Sequence, residues 1–166
     1  MPEDNEPPEA FQDLVGELDY PMFIATTVAD GERAGCLVGF ATQCSIDPPR
    51  FLVCLSDKNR TYRVAARAEA LAVHFVPSSA DHLAQLFGSQ TGDDVDKFSR
   101  CDWRDGPAGL PILSECDNWF AGAILAHHEL GDHVGFLLEP IAAHSGTPLD
   151  EFTFHRARRM EPGHEA

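Results

Sequence analysis

The sequence predicts a mainly β protein: an antiparallel barrel of six or seven strands with two or three peripheral helices. Three observations lead there. The apolar runs are short, mostly adjacent in sequence and separated by polar turns, with no alternation of strands and long helices. The segment "WFAGAILAHHELGDHVGFLLEPI" is two long apolar runs joined by a polar connection, the pattern of a hairpin. A chain of 166 residues, 43% hydrophobic and 23% charged, has the make-up of one globular domain with a sizeable core.

Along the chain, residues 1–9 are acidic and proline-rich and are expected to be disordered, with the folded domain over 10–154 and a flexible tail over 155–166. "FQDLVGEL" sets Phe11, Leu14, Val15 and Leu18 on one helical face. "PMFIATTVA" reads as a strand closed by the turn "DGERAG". Next, "GCLVGFATQCSIDPPRFLVCL" reads as two buried strands around a polar interruption ending in Asp47-Pro48-Pro49. The first of these strands contains small residues, Gly35, Gly39 and Ala41, which predict a close approach of the main chain to a flat ring. "TYRVAARAEA" is a short alanine-rich helix leading into the strand "LAVHFV". In "SSADHLAQLFG", Ser78 and Asp81 resemble a capping box, Leu83, Leu86 and Phe87 share a face, and Gly88 ends the helix. Residues 89–113 read as loop with a helical turn at "DDVDKF", and "EFTFH" as a final short strand.

A net charge of −15 argues against nucleic acid and anionic membrane surfaces as partners, since both demand basic clusters. No apolar run approaches the roughly 20 residues of a membrane span, and "MPEDNEPPEA" lacks the basic and apolar blocks of a signal peptide. Five cysteines, Cys36, Cys44, Cys54, Cys101 and Cys116, form no metal-binding spacing. They are expected to be reduced, which suggests a cytoplasmic protein.

No P-loop, dinucleotide fingerprint or nucleophile elbow is present. The aspartates Asp93, Asp94 and Asp96 read as solvated loop carboxylates. In "HHELGDH", His127 and His128 are adjacent and point to opposite faces of a strand, so zinc is the weaker reading and no metal ligands are assigned. One basic cluster stands out. Lys58, Arg60, Arg63 and Arg67 are four of the chain's twelve basic residues, within ten positions and beside Asn59 and Thr61 at a helix start. Two readings stand equally: a phosphate site at those helix-start amides, or a solvated helix face paired with acids.

Four segments in order resemble the flavin reductase family of FMN-binding split barrels. They are Gly35 to Pro49 with its S-x-D-P-P ending, "FGSQTGDDVDKF", "GLPIL" and "LGDHVGFLLEPI". The resemblance covers Tyr20 to about Ile141. It implies a split β-barrel and an NAD(P)H:flavin oxidoreductase that works as a homodimer, many relatives supplying reduced flavin to a partner monooxygenase. The strand matching Leu37, Val38, Gly39, Phe40, Ala41, Thr42 and Gln43 would lie along the flavin ring. Lys58, Asn59, Arg60 and Thr61 would hold its phosphate, Phe87 would lie near it, and His133 would meet the nicotinamide. Hydride transfer then runs between FMN, or FAD, and NADH or NADPH, and no side chain is assigned as a catalytic acid or base. Relatives commonly carry a hydroxyl or amide where Phe40 stands, which leaves FAD or a deazaflavin as alternatives. An oxidoreductase acting on its own substrate through a bound flavin or deazaflavin is the second reading. A non-catalytic flavin-binding protein is the third.

Overall fold

The computed structural model describes residues 8–160. Helix α1 (Glu9–Gly16) precedes strands β1 (Phe23–Ala29), β2 (Glu32–Val38), β3 (Ala41–Ser45) and β4 (Arg50–Ser56). Helix α2 (Arg60–Ala65), strand β5 (Ala70–Phe75) and helix α3 (Asp81–Gly88) follow. The small strands β6 (Trp103–Asp105) and β7 (Pro111–Leu113), the long strands β8 (Asn118–Glu129) and β9 (His133–Ser145), and the single turn α4 (Phe154–Ala157) complete the described chain.

Seven strands form one antiparallel sheet in the order β2-β1-β5-β8-β9-β4-β3. Its edges are β2 and β3, which are consecutive in sequence, so the sheet curls toward closure and stops short. This is a split barrel. The β1–β2 connection is the two-residue turn expected from "DG": Asp30 and Gly31 both take positive φ, at 52° and 77°. The β8–β9 hairpin is the longest pairing, from Asn118↔Ser145 to Glu129↔Val134.

Inside the curl, Phe23, Leu55, Leu71, Phe136 and Leu138 form the main core. On the other face of β1 and β2, Ile24, Leu83, Phe87 and Phe152 form a second core beneath α3. Strand β1 is therefore covered on both sides, and its polar members are paired. Thr26 donates to the Pro111 carbonyl at 2.6 Å and Thr27 to that of Ala70 at 2.8 Å.

Four expectations change. The strand read across Gly35–Cys44 is two strands on opposite sheet edges, because the chain crosses the split at Gly39-Phe40. Residues 103–113 carry the β6–β7 ladder, and the helical turn lies at Lys97–Ser99. "EFTFH" forms only the isolated bridges Pro77↔Glu151 and Pro21↔Thr153, then turns into α4, which brings the α-helices among the described residues to four. No capping box forms at α3: Ser78 donates instead to the Asp150 carboxylate, and Asp81 pairs with Arg156. Helix α1 forms where expected, over Glu9–Gly16, with none of its residues buried; Leu14 is 70% exposed. Of the segments expected to be disordered or flexible, residues 1–7 and 161–166 lie outside the described residues.

Candidate active site

Where the sheet fails to close, a cleft of about 170 Å³ opens. Cys36, Leu37, Val38, Gly39 and Phe40 line one side, and Cys54, Leu55 and Ser56 of β4 line the other. Asn59 stands at the start of α2, and His133 at the start of β9. A third wall is aromatic: Tyr20 and Phe154 stack with centroids 4.7 Å apart and planes 12° apart, beside Met22.

The free edge of β2 explains what this cleft offers. In an antiparallel ladder, alternate residues turn their peptide groups away from the partner strand. Here the Arg33 carbonyl accepts from Arg60 at 2.9 Å, and the Gly35 carbonyl accepts from the Lys97 ammonium at 3.0 Å. Two cationic side chains thus cap the first two outward carbonyls of an edge strand that has no neighbour. By the same alternation Leu37 turns its peptide group outward, and at Leu37 the edge enters the cleft. By this geometry the cleft is offered an outward-turned main-chain donor and acceptor over an apolar floor.

Lys97 is buried although charged, and it also donates to the Phe87 carbonyl at 3.1 Å, near the end of α3. Burial lowers its pKa from the usual lysine range. Burial also raises the Cys36 thiol, opposed by the Lys97 charge and by hydrogen bonds with Thr61 and Asn59. At the hairpin end, His133 Nδ1 lies 2.8 Å from Asp132 Oδ1. That hydrogen bond, the His133 charge and nearby Lys58 hold the Asp132 carboxyl below its ordinary value.

The expected site residues separate into groups. Leu37, Val38, Gly39, Phe40, Asn59 and His133 line the cleft together. Lys58 is not among the lining residues; its charge acts on Asp132, next to His133. Ala41, Thr42 and Gln43 stand beyond the crossing on β3, where Thr42 and Gln43 are exposed. Arg60 and Thr61 line a neighbouring cavity of about 470 Å³, where Glu32, Asp93, Asp94 and Asp96 face Arg33, Arg60 and Lys97. Arg60 is paired with Glu32, Arg63 with Asp93, and Arg67 with Asp30 and Glu32. For these three arginines the geometry is that of a helix face paired with acids. Phe87 is buried in the second core and does not line the cleft; a Cβ on Gly35 would come within 2.8 Å of its ring. The flat ring that Gly35 admits is the protein's own. At Gly39 a Cβ would meet Tyr20 at 3.1 Å.

A family model described as a flavin reductase like domain matches residues 15–163. The chain belongs to this family. Among curated relatives, a Rhizobium meliloti (strain 1021) protein named "Probable flavin reductase" is 28% identical over 159 residues, covering 93% of this chain and 49% of its own length. The reductase subunit of a flavin-dependent monooxygenase from Rhodococcus jostii is 28% identical over 126 residues, 76% of this chain and 63% of that protein. The chain spans only 49%, 66% and 63% of the first three curated relatives it matches. Among solved structures, nitrilotriacetate monooxygenase component B from Mycobacterium thermoresistibile superposes with a TM-score of 0.75 at 25% identity, over 84% of this chain and 75% of that one. The NADH:FAD oxidoreductase of Streptomyces globisporus shares the fold, with a TM-score of 0.80 at 24% identity over 92% of each chain.

Within this family fold, sequence reasoning missed the aromatic wall. Tyr20 and Phe154 are far apart in the chain and carry no joint pattern. The isolated bridge Pro21↔Thr153, one residue from each, brings them together. The Ser56 hydroxyl, which accepts from the Lys58 amide at 3.4 Å, had one available signal, its place at the end of an apolar strand before "DKN".

Proposed function

We propose that this protein is an NADH-dependent flavin reductase that binds FMN, or FAD, in the cleft and supplies reduced flavin to a partner monooxygenase. One observation carries the reading: the outer edge of β2, which at Leu37 is a sheet edge among the described residues, runs along an apolar cleft. A flavin has an apolar benzenoid end and a pyrimidine end rich in donors and acceptors, and it needs that combination.

The residues present fit such a group. Leu37 and Gly39 supply main-chain contacts to the pyrimidine edge. Tyr20, Met22 and Phe154 cover the apolar end and exclude water. Lys58 and Asn59 receive the phosphate, with Arg60 and Thr61 behind them at the first turn of α2. His133, fixed by Asp132, receives the nicotinamide. When bound, the flavin supplies the hydride acceptor, so the protein's task is alignment and exclusion of water rather than acid–base chemistry. NADH is favoured over NADPH because several relatives are named FMN reductase (NADH). Reductase components among the relatives support the monooxygenase partner. The exposed apolar residues Phe11, Leu14 and Leu18 of the α1 segment support a homodimer. All five cysteines are free, which supports a reducing, cytoplasmic setting. Among the described residues no helix is long and apolar enough to cross a membrane.

The test is a fluorescence titration of the purified protein with FMN and with riboflavin, alongside NADH consumption. The expected result is NADH oxidation that depends on added flavin. FMN binds more tightly than riboflavin, and Lys58→Gln narrows that gap by weakening FMN alone. No flavin binding, or equal weakening of FMN and riboflavin, contradicts the assignment.

A further inference from the structure

Phe40 stands where the chain crosses the split. Its backbone is anchored, with the carbonyl accepting from the Cys54 amide at 2.8 Å. Its side chain joins no core cluster and is 55% exposed. The ring rests instead against His133, with centroids 5.0 Å apart and a tilt of 58°. Both residues line the cleft, each beside β4: Phe40 through Cys54 and His133 through its pairing with Ser56. Of the two, His133 is the fixed member: Asp132 holds its Nδ1, and its side chain is only 24% exposed.

Rings in favourable contact keep their centroids about 4.5–7 Å apart. A separation of 5.0 Å is thus one contact, with no space for a third ring between. A planar group inserted in line needs at least roughly 9 Å between the outer rings. A flat group that takes up the place against His133 where Phe40 now rests must displace Phe40.

We propose that the Phe40 side chain is a stand-in for the nicotinamide: it occupies on His133 the aromatic contact that the pyridine ring of NADH takes during turnover. This rests on the flavin reductase reading above. The anchored carbonyl and exposed ring let Phe40 swing about its side-chain torsions while the main chain at Gly39 stays in place. Binding of NADH is then weakened by the fraction of protein in which Phe40 holds His133. Phe40 is a specificity-determining residue for the nicotinamide, not a cover for the flavin.

Four proteins test this: wild type, Phe40→Ala, His133→Ala and the double variant. For each, the FMN dissociation constant is read by fluorescence quenching, and KM for NADH, kcat and the NAD product-inhibition constant from steady-state kinetics. An aromatic contact of this kind corresponds to about a two- to tenfold change in an equilibrium constant. Phe40→Ala is therefore expected to lower KM for NADH and the NAD inhibition constant together by about that factor. The FMN dissociation constant should move less. In the His133→Ala background, Phe40→Ala should change neither nicotinamide constant. An unchanged or raised KM in Phe40→Ala overturns the proposal, as does a larger change for FMN than for NADH or an undiminished effect without His133. If wild type binds no flavin, the flavin reductase reading itself falls. If wild type binds and turns over but the nicotinamide constants stay put, this inference alone falls.

Discussion

His74 lies on β5 with no exposed surface, on the face turned away from the main core and toward β7. Its Nδ1 lies 2.9 Å from the Ile24 carbonyl, and its Nε2 accepts from the Leu113 amide at 3.0 Å. An imidazole that donates from one nitrogen and accepts at the other is neutral, and it ties β5 to β1 and to β7. Burial pushes its pKa down to about 4 from the ordinary 6.5. The Ile24 carbonyl opposes that shift, and the Arg104 charge adds to it. Because the folded value lies below the unfolded one, the unfolded chain takes up the proton first as pH falls. The stabilisation is complete above about pH 6.5, declines through the window down to about pH 4, and is gone below it. A gap of about 2.5 units amounts to about 3 kcal/mol, with a slope approaching ~1.4 kcal/mol per pH unit. Urea unfolding of wild type and His74→Gln at pH 7.5, 6, 5 and 4.5 isolates this residue, because every other titrating group is common to both proteins. His74→Gln should be the less stable protein at pH 7.5, with the gap shrinking by about 3 kcal/mol toward acid. Parallel curves would refute the argument.

Two further predictions concern packing around β2. Gly35→Ala drives a methyl into the Phe87 ring, and the resulting overpacking should cost about 1–3 kcal/mol in chemical denaturation. A Gly35→Ala/Phe87→Leu double variant should lose less than the sum of the two single losses; strict additivity would show that the ring is not what limits position 35. Lys97→Met removes the donor shared by the Gly35 and Phe87 carbonyls. A loss of about 1–3 kcal/mol is expected, held down because burying the ammonium is itself costly. A variant as stable as wild type would mean that those carbonyls find other donors.

The parts of the fold written in local pattern could be read in advance. The "DG" turn, the long hairpin built on Asn118–Glu129 and His133–Ser145, and the amphipathic α3 all depend on neighbours in sequence. The crossing at Gly39-Phe40 could not, because nothing in "LVGFATQ" marks a turn and only the curl of the sheet decides that it spans two edges. The three-residue strands β6 and β7 are too short to show a period. The basic cluster showed the same limit. Nothing in "KNRTYRVAAR" reveals that Glu32 and Asp93 lie opposite Arg60 and Arg63, since those acids come from a hairpin and a distant loop. For the cleft, the sequence marked the strand, Asn59 and His133, while the aromatic wall depended on a tertiary bridge.

In the proposed function, the cleft at the split between the β2 and β3 edges aligns a flavin for reduction by NADH. The most direct measurement is anaerobic stopped-flow mixing of the FMN-loaded protein with NADH, following the flavin and nicotinamide absorbance bands together. The yellow band is expected to bleach as NADH disappears, one for one, much faster than with FMN free in buffer. A bound flavin that stays yellow in excess NADH, or bleaches no faster than free FMN, would contradict the proposed function.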